Sequence, residues 1–91
     1  MRYVVAYDIA DDHRRHRVAK FLESWGRRVQ KSVFECELSP EELRELLTHL
    51  KRLLAPEEDR CHLYRLCGEC LSKRLALGKD LEAEWGEVIV V

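Results

Sequence analysis

The hydrophobic pattern of this chain switches between short runs typical of β-strands and longer stripes typical of helices. Residues 2–9 form an apolar, β-branched and aromatic run, and its shortness predicts a buried strand rather than a helix. A helical stripe follows, with apolar side chains at i, i+3, i+4 and i+7: Val18, Phe21, Leu22 and Trp25. This alternation restricts the fold to architectures in which helices pack against a sheet.

Capping signals predict where the two helices begin and end. Asp11 or Asp12 can cap the first helix, and Gly26 is expected to stop it as the residue just beyond the C-cap. The second helix carries a capping box, with Ser39 as the N-cap and Glu42 three residues later. Its apolar face is a series of leucines: Leu43, Leu46, Leu47, Leu50, Leu53 and Leu54.

The remaining apolar segments are predicted to be extended. Residues 27–38 predict either one bent strand or two short strands with a reversal near residues 30–32. Further strands are predicted at residues 60–67, 74–78 and 87–91. The resulting order predicts an α+β class, a ferredoxin-like βαββαβ fold with an extra C-terminal strand.

Length and composition bound the class of protein. We expect residues 1–91 to form a single domain, because two domains would leave about 45 residues each, too few for independent cores. The 46% apolar content argues against a disordered chain, and no apolar run approaches the roughly 18 residues of a membrane span. With no signal peptide visible, we expect a soluble cytoplasmic protein with no membrane partner. The absence of Asn and the single Gln are typical of a thermophilic source.

The chain ends in a short, uncharged, β-prone segment, which we expect to be paired. An exposed edge of this kind invites aggregation, so residues 87–91 are predicted to add to a sheet. The pattern alone permits pairing within the chain or with a partner subunit. Because the core of so small a domain is modest, we expect a homodimer.

Asp8 is the candidate metal ligand, because this carboxylate ends an otherwise apolar strand. By alternation it shares a strand face with Val4 and Ala6, which we expect to be core positions, so the carboxylate needs a partner, a cap or a metal ion. Hydrogen bonds from loop N–H groups are the alternative. Mg²⁺ often uses only one or two protein carboxylates, and two copies of Asp8 across a dimer axis would make a fuller magnesium site.

Basic side chains are concentrated in the first third of the chain. Residues 1–31 hold eight basic and four acidic side chains, a net of +4, whereas residues 32–91 hold eight and thirteen, a net of −5. Guanidinium groups suit phosphate oxygens, and a solvated helix face is the alternative for any one of them. The candidate nucleic-acid-binding residues are Arg14, Arg15, Arg17, Lys20, Arg27, Arg28 and Lys31.

Four cysteines are present, and in a cytoplasmic chain we expect buried thiols rather than disulfides. Cys67 and Cys70 form a single CxxC motif at a predicted turn around Gly68. The motif is a weak zinc signal, because a structural site needs two more ligands and only Cys61 and His62 are near. A redox pair is favoured less than zinc, because no thioredoxin-like context precedes the motif.

The motifs fall in an order that resembles one known family. The segment YDI occupies residues 7–9, DD follows at 11–12, RVQKSVFEC covers 28–36 and YRLC covers 64–67. Over nearly the whole chain this combination is similar to the small CRISPR-associated adaptation proteins, the second core member of that machinery, a family of metal-dependent endonucleases.

The resemblance implies a ferredoxin-like homodimer in which C-terminal strands add to the partner's sheet. It implies cleavage of single-stranded RNA or double-stranded DNA with magnesium, and Asp8 as the metal ligand contributed twice across the dimer axis. The residues that it places near this site are Tyr7, Arg15, Arg17, Arg28 and Phe34. It also implies a complex with the CRISPR integrase and the DNA of a future spacer. A non-catalytic adaptor is the alternative function, because one carboxylate per chain is a sparse supply for hydrolysis.

Overall fold

The computed structural model describes residues 1–77 and 89–90. The elements in chain order are β1 (Arg2–Asp8), α1 (Asp12–Glu23), β2 (Arg27–Gln30), β3 (Val33–Glu37), α2 (Pro40–Leu53), β4 (Arg60–Leu66), α3 (Gly68–Ser72), β5 (Leu75–Ala76) and β6 (Ile89–Val90). Among these, no helix is both long enough and apolar enough to cross a membrane.

The first four strands form one antiparallel sheet in the order β2-β3-β1-β4. The two βαβ units therefore interleave, which confirms the predicted ferredoxin-like α+β fold. The structure also decides between the two alternatives for residues 27–38: they form two strands, β2 and β3, joined by a turn at residues 31–32. This hairpin brings the turn beside the C-terminal end of β1, where the Tyr7 amide donates to the Ser32 carbonyl at 3.0 Å.

The core lies between one face of the sheet and the two long helices. Strand β1 contributes Val5 and Tyr7, and Ile9 follows directly after it; each is at most 5% exposed. Against them pack the other buried apolar residues: Val18, Ala19, Leu22, Phe34, Cys36, Leu38, Leu46 and Leu50. Apolar burial on this face is the main favourable contribution to folding.

The prediction that Asp8 is in line with core positions is wrong. Val4 and Ala6 do share its strand face, but that face is opposite the helices, and Asp8 is exposed. The segment is apolar on both sides, so its alternation does not reveal which side the helices cover. A buried-carboxylate penalty therefore plays no part at Asp8.

The helix caps agree with the capping signals at the N-terminus of both long helices. Asp11 caps α1 by accepting a hydrogen bond from the Arg14 amide at 2.8 Å. The predicted capping box of α2 is confirmed, with Ser39 and Glu42 bonding to each other's backbone amides.

Gly26 does not stop α1 as predicted. The helix ends at Glu23 with Ser24 as its C-cap, and Gly26 begins the approach to β2. Its backbone needs no left-handed conformation; instead, a Cβ atom there would lie 2.2 Å from the Glu35 carbonyl oxygen and 2.6 Å from the Cys36 sulfur. Close packing against β3 is what requires the glycine.

The end of the chain differs from the sequence prediction in two respects. The predicted turn around Gly68 is the short helix α3, and Cys67 and Cys70 are exposed rather than buried. Strand β6 falls within the predicted terminal strand 87–91 and pairs in parallel with β5 of the same chain. Residues 87, 88 and 91 lie outside the described residues, and pairing with a partner's sheet stays a prediction.

Candidate functional site

Asp8 lies at the mouth of a cleft at the C-terminal end of β1. The cleft has a volume of about 550 Å³, and its lining includes Asp8 itself, Arg15, Arg28 and Lys31. Within residues 1–77 the Asp8 carboxylate has no hydrogen-bond or ion-pair partner. The cleft therefore presents an exposed carboxylate with three basic side chains around it.

Arg28 and Tyr7 converge on the hairpin turn beside Asp8. The Lys31 carbonyl accepts from Arg28 Nε at 3.0 Å, from Arg28 Nη2 at 2.6 Å and from Tyr7 Oη at 3.2 Å. The Arg28 guanidinium carbon lies 5.6 Å from the centre of the Phe34 ring, which itself stacks on Tyr7 at 6.3 Å. A buried aromatic pair thus supports the guanidinium from beneath.

Arg15 holds the loop that follows Asp8. Its Nη1 donates to the carbonyls of Ile9 at 3.0 Å and Ala10 at 3.3 Å, and its Nη2 pairs with the Asp12 carboxylate. Arg15 and Arg28 therefore fix the two backbone segments on either side of Asp8. In both guanidinium groups, several of the five N–H donors form hydrogen bonds within the protein itself.

Tyr7 is a hydrogen-bond donor in this site rather than a base. Burial raises the pKa of Tyr7 above its ordinary value, although nearby Arg28 and Arg15 oppose that shift. The phenol is therefore protonated at neutral pH and donates to the turn. Tyr7 and Phe34 are 5% and 0% exposed, so neither ring is available to stack on a nucleic-acid base.

Arg14 has a different environment from its neighbour Arg15. Its Nε and Nη2 donate to the two carboxylate oxygens of Asp59 at 2.6 and 3.0 Å, and Asp59 also accepts from the Ala55 amide at 2.8 Å. The Arg14 guanidinium holds the pKa of Asp59 below its usual range. This bidentate pair joins α1 to the loop before β4, so Arg14 has a structural partner and does not line the Asp8 cleft.

The other predicted basic residues lie elsewhere. Arg17 and Lys20 border a largely apolar groove of about 490 Å³ between α1 and α2, with Phe21 and Leu53 as its apolar walls. Arg27 lies on β2 opposite Glu35 of β3. Of the seven predicted nucleic-acid-binding residues, the structure thus brings Arg15, Arg28 and Lys31 together beside Asp8.

The carboxylates near Asp8 are used locally. Asp11 caps α1, and Asp12 pairs with Arg15. Across the described ranges, 1–77 and 89–90, no three His, Cys, Asp or Glu side chains cluster as a metal site. One copy of the chain therefore offers Asp8 alone to a metal ion at this cleft.

Sequence analysis missed two partners of the predicted basic residues. The Lys31 carbonyl accepts hydrogen bonds from both Tyr7 and Arg28. The Asp59 carboxylate accepts from Arg14, which lies 45 positions earlier in the sequence. A carbonyl has no sequence signature, and no local spacing connects residues 14 and 59. Only the presence of Asp59 beside the start of a strand was visible in advance.

Comparison with known proteins decides the family. A family model described as CRISPR associated protein Cas2 matches residues 1–74 of this chain. The chain belongs to the Cas2 family. A relative from Chloroflexus aurantiacus, named CRISPR-associated endoribonuclease Cas2 1, is 41% identical over 92 residues, covering 100% of this chain and 99% of that protein.

Solved structures of Cas2 share the fold. The crystal structure of Streptococcus pyogenes Cas2 at pH 6.5 is 30% identical, with a TM-score of 0.76, and the match covers 86% of this chain and 100% of that one. A chain of a partial Cas6-RT-Cas1–Cas2 complex is 24% identical with a TM-score of 0.67, covering 89% of this chain and 90% of that one. At that identity, the second likeness shows the common fold alone.

Proposed function

We propose that this Cas2-family chain is a magnesium-dependent endonuclease that works as a homodimer in CRISPR adaptation. The observation that supports the nuclease proposal best is the exposed Asp8 carboxylate at the mouth of a cleft that Arg15, Arg28 and Lys31 also line. A carboxylate for a cation beside cations for a phosphodiester is the arrangement that metal-assisted phosphoryl chemistry needs. The name of the Chloroflexus relative, an endoribonuclease, supports RNA as a substrate.

The chemistry of Asp8 fits Mg²⁺. The ion prefers oxygen ligands and keeps several waters, so a solvent-exposed carboxylate without a competing partner suits it. Bound there, it would activate water and polarise the phosphodiester. The remaining coordination positions belong to water, to substrate phosphate or to a second Asp8, because the described part of one chain provides no cluster.

The uncovered face of the sheet supports the proposed homodimer. The helices cover the face that bears Val5 and Tyr7, whereas the opposite face presents Val4, Ala6 and Tyr64 together with Asp8. Tyr64, which pairs with Val4 across β1 and β4, is 55% exposed. A second copy on this face would cover these side chains and bring two Asp8 carboxylates toward one axis.

Each residue of the cleft has a distinct proposed role. Lys31, on the exposed turn, contacts the substrate phosphate, and Arg28 and Arg15 add positive charge while they fix the turn and the loop beside Asp8. Tyr7 and Phe34 act as positioning residues, because they support Arg28 and are buried. Arg14, Arg17, Lys20 and Arg27 are proposed as backbone contacts for longer nucleic acid, outside the cleft.

We further propose that the dimer assembles with the CRISPR integrase and with spacer DNA. Family membership and the shared fold of the Cas1–Cas2 complex chain support this assembly. The competing function is an adaptor that binds DNA and the integrase without cutting. The sparse carboxylate supply, one Asp8 per chain, favours this second function in the absence of dimerisation.

Replacing Asp8 by Asn tests the nuclease proposal, because the amide keeps the shape but loses the charge that holds the cation. We expect cleavage of single-stranded RNA and double-stranded DNA to fall about a hundredfold or more, a scale typical of lost electrostatic catalysis. Activity of the unaltered chain in chelator should fall to the same level. Glu57→Gln, an exposed carboxylate of the turn before β4, is the matched control and should cleave normally.

Spacer integration with the partner enzyme, measured on the same preparations, separates the two functions. If Asp8→Asn integrates normally but does not cleave, the adaptor role is independent of the site. Cleavage that persists in Asp8→Asn or in chelator would show that the metal mechanism is wrong.

A further inference from the structure

The proposed nuclease mechanism does not use the CxxC motif at residues 67–70. The two thiols of this motif are nevertheless the most accessible thiols in the described part of the chain. Cys67 and Cys70 are exposed, whereas Cys36 is buried and Cys61 is half-buried. Burial raises the pKa of both Cys36 and Cys61 to about 11, so these two thiols remain protonated and unreactive at neutral pH.

The first turn of α3 brings the two exposed thiols together. Cys67 is the N-cap, and its sulfur accepts a hydrogen bond from the Cys70 amide at 3.4 Å. This bond folds the Cys67 side chain over the turn toward Cys70. Side chains three residues apart at the start of a helix lie on the same face, so the Cys70 side chain lies next to that of Cys67.

The hydrogen bonds make the two thiols unequal. The Cys70 amide and then the Cys70 thiol lower the pKa of Cys67, because both stabilise its thiolate. The neighbouring Cys67 sulfur raises the pKa of Cys70. Cys67 is thus the thiol that attacks first, and Cys70 lies beside it to attack the resulting mixed disulfide.

We propose that Cys67 and Cys70 form a thiol–disulfide exchange site that reacts with small disulfides of the glutathione type. The Cys67 thiolate attacks one sulfur of the small disulfide, forming a mixed disulfide and releasing one small thiolate, which takes up a proton. Cys70 then loses its proton and attacks the Cys67 sulfur, closing the Cys67–Cys70 bond and releasing the second small thiol. The protein loses two electrons and two protons, and the small disulfide is reduced to two thiols.

A metal site is the competing use of two neighbouring thiols. Zinc requires four ligands, and the described residues offer no third His, Cys, Asp or Glu beside this pair. Thiol exchange requires only the two sulfur atoms that are present. Because α3 connects β4 to β5, closure of the bond would fix this connector covalently.

The arrangement of basic residues allows a direct test on the full chain. Trypsin cleaves after Arg65 and Lys73, so residues 66–73 are released as one peptide that contains Cys67 and Cys70 and neither of the other cysteines. The chain is first equilibrated in glutathione buffers that are increasingly oxidising, and free thiols are then alkylated. Mass spectrometry should show this peptide two hydrogens lighter and unalkylated. Peptides with Cys36 and Cys61, alkylated after unfolding, should remain reduced in the same buffers.

Single variants distinguish exchange from its alternatives. Cys70→Ser should accumulate glutathione on Cys67, because nothing resolves the mixed disulfide, whereas Cys67→Ser should acquire much less. The proposal is overturned if the unaltered chain retains glutathione on residues 66–73 without closing the bond, or if those residues stay reduced while Cys36 or Cys61 oxidises. Stoichiometric zinc that protects both thiols from alkylation would also overturn it in favour of a metal site.

Discussion

The two faces of β1 have opposite uses although they consist of alternating residues in one strand. Val5 and Tyr7 lie under the helices and are nearly inaccessible, whereas Val4 and Ala6 are half-buried and Asp8 is exposed. The covered face gives the domain its core. The other face holds the carboxylate at the cleft, so a single strand connects the stability of the fold to the placement of its candidate site.

The C-terminal end of β1 connects the core to the candidate site. Tyr7 belongs to the core, yet its hydroxyl reaches the hairpin turn that also holds Arg28 beside Asp8. Core packing therefore determines where the turn lies, and the turn determines which cations surround the carboxylate. Substitutions on the covered face should affect stability first, and those on the open face should affect the site or the assembly.

We expect the largest difference in stability between alanine variants of two neighbouring valines. Val5→Ala removes two buried methyl groups from the core and should lower the free energy of unfolding by about 2–3 kcal/mol. Val4→Ala is the matched change on the open face and should cost less than about 1 kcal/mol in the monomer. Urea unfolding at several protein concentrations measures both. Equal costs in dilute protein would contradict the assignment of faces, and a Val4 cost that grows with concentration would indicate a second copy on that face.

Substitution of Gly26 should have the next largest effect on stability, because this residue packs closely against β3. Gly26→Ala places a methyl group 2.2 Å from the Glu35 carbonyl oxygen, so the β3 backbone must shift. We expect a loss of about 1–3 kcal/mol in the free energy of unfolding. Gly68→Ala is the control, since a Cβ there meets nothing within 4 Å. If the two variants unfold alike, the close approach to β3 does not explain the glycine.

Local signals predicted those parts of the fold that depend on neighbouring residues. The capping box of Ser39 and Glu42 and the Asp11 cap were visible because each involves side chains three residues apart. The order of strands and helices likewise follows from periodicity, and it was sufficient for the ferredoxin-like fold. The hairpin turn at residues 31–32 was not resolved from sequence, because it contains no Gly, Pro, Asn or Asp.

The sequence predicted part of the grouping around Asp8, whereas the role of each site residue stays a prediction. Asp8 and the basic residues around it were identified, and the structure places Arg15 and Arg28 beside it. The partner of each guanidinium depends on tertiary contacts: Arg14 meets Asp59, whereas Arg15 meets the carbonyls after Asp8. Two consecutive arginines thus have one residue type and different uses, which no spacing rule distinguishes.

The Arg14–Asp59 pair joins the helix layer to the base of β4, and its effect should depend on pH. Because Arg14 holds the pKa of Asp59 below its ordinary 3.8, the stabilisation is present above that value and disappears as pH falls through the lower, folded-state pKa. Asp59→Asn should therefore lower the melting temperature at pH 7, and the difference from the unaltered chain should shrink below about pH 4. Thermal unfolding at pH 7, 5 and 3 tests this. A difference that grows on acidification would contradict the pairing.

The smallest effect on folding should come from Tyr64, on the open face of the edge strand β4. Tyr64 is 55% exposed, so Tyr64→Arg should change the unfolding free energy of the monomer by no more than about 0.5 kcal/mol. In a dimer formed through this face, the same change would place two new charges in the contact, where each would lose hydration. We therefore expect sedimentation velocity to show a monomer for Tyr64→Arg at concentrations where the unaltered chain is a dimer. Leu47→Arg, on an exposed position of α2, is the control and should remain dimeric. A dimer that survives Tyr64→Arg would place the interface elsewhere, and the two Asp8 carboxylates would then no longer be expected to meet.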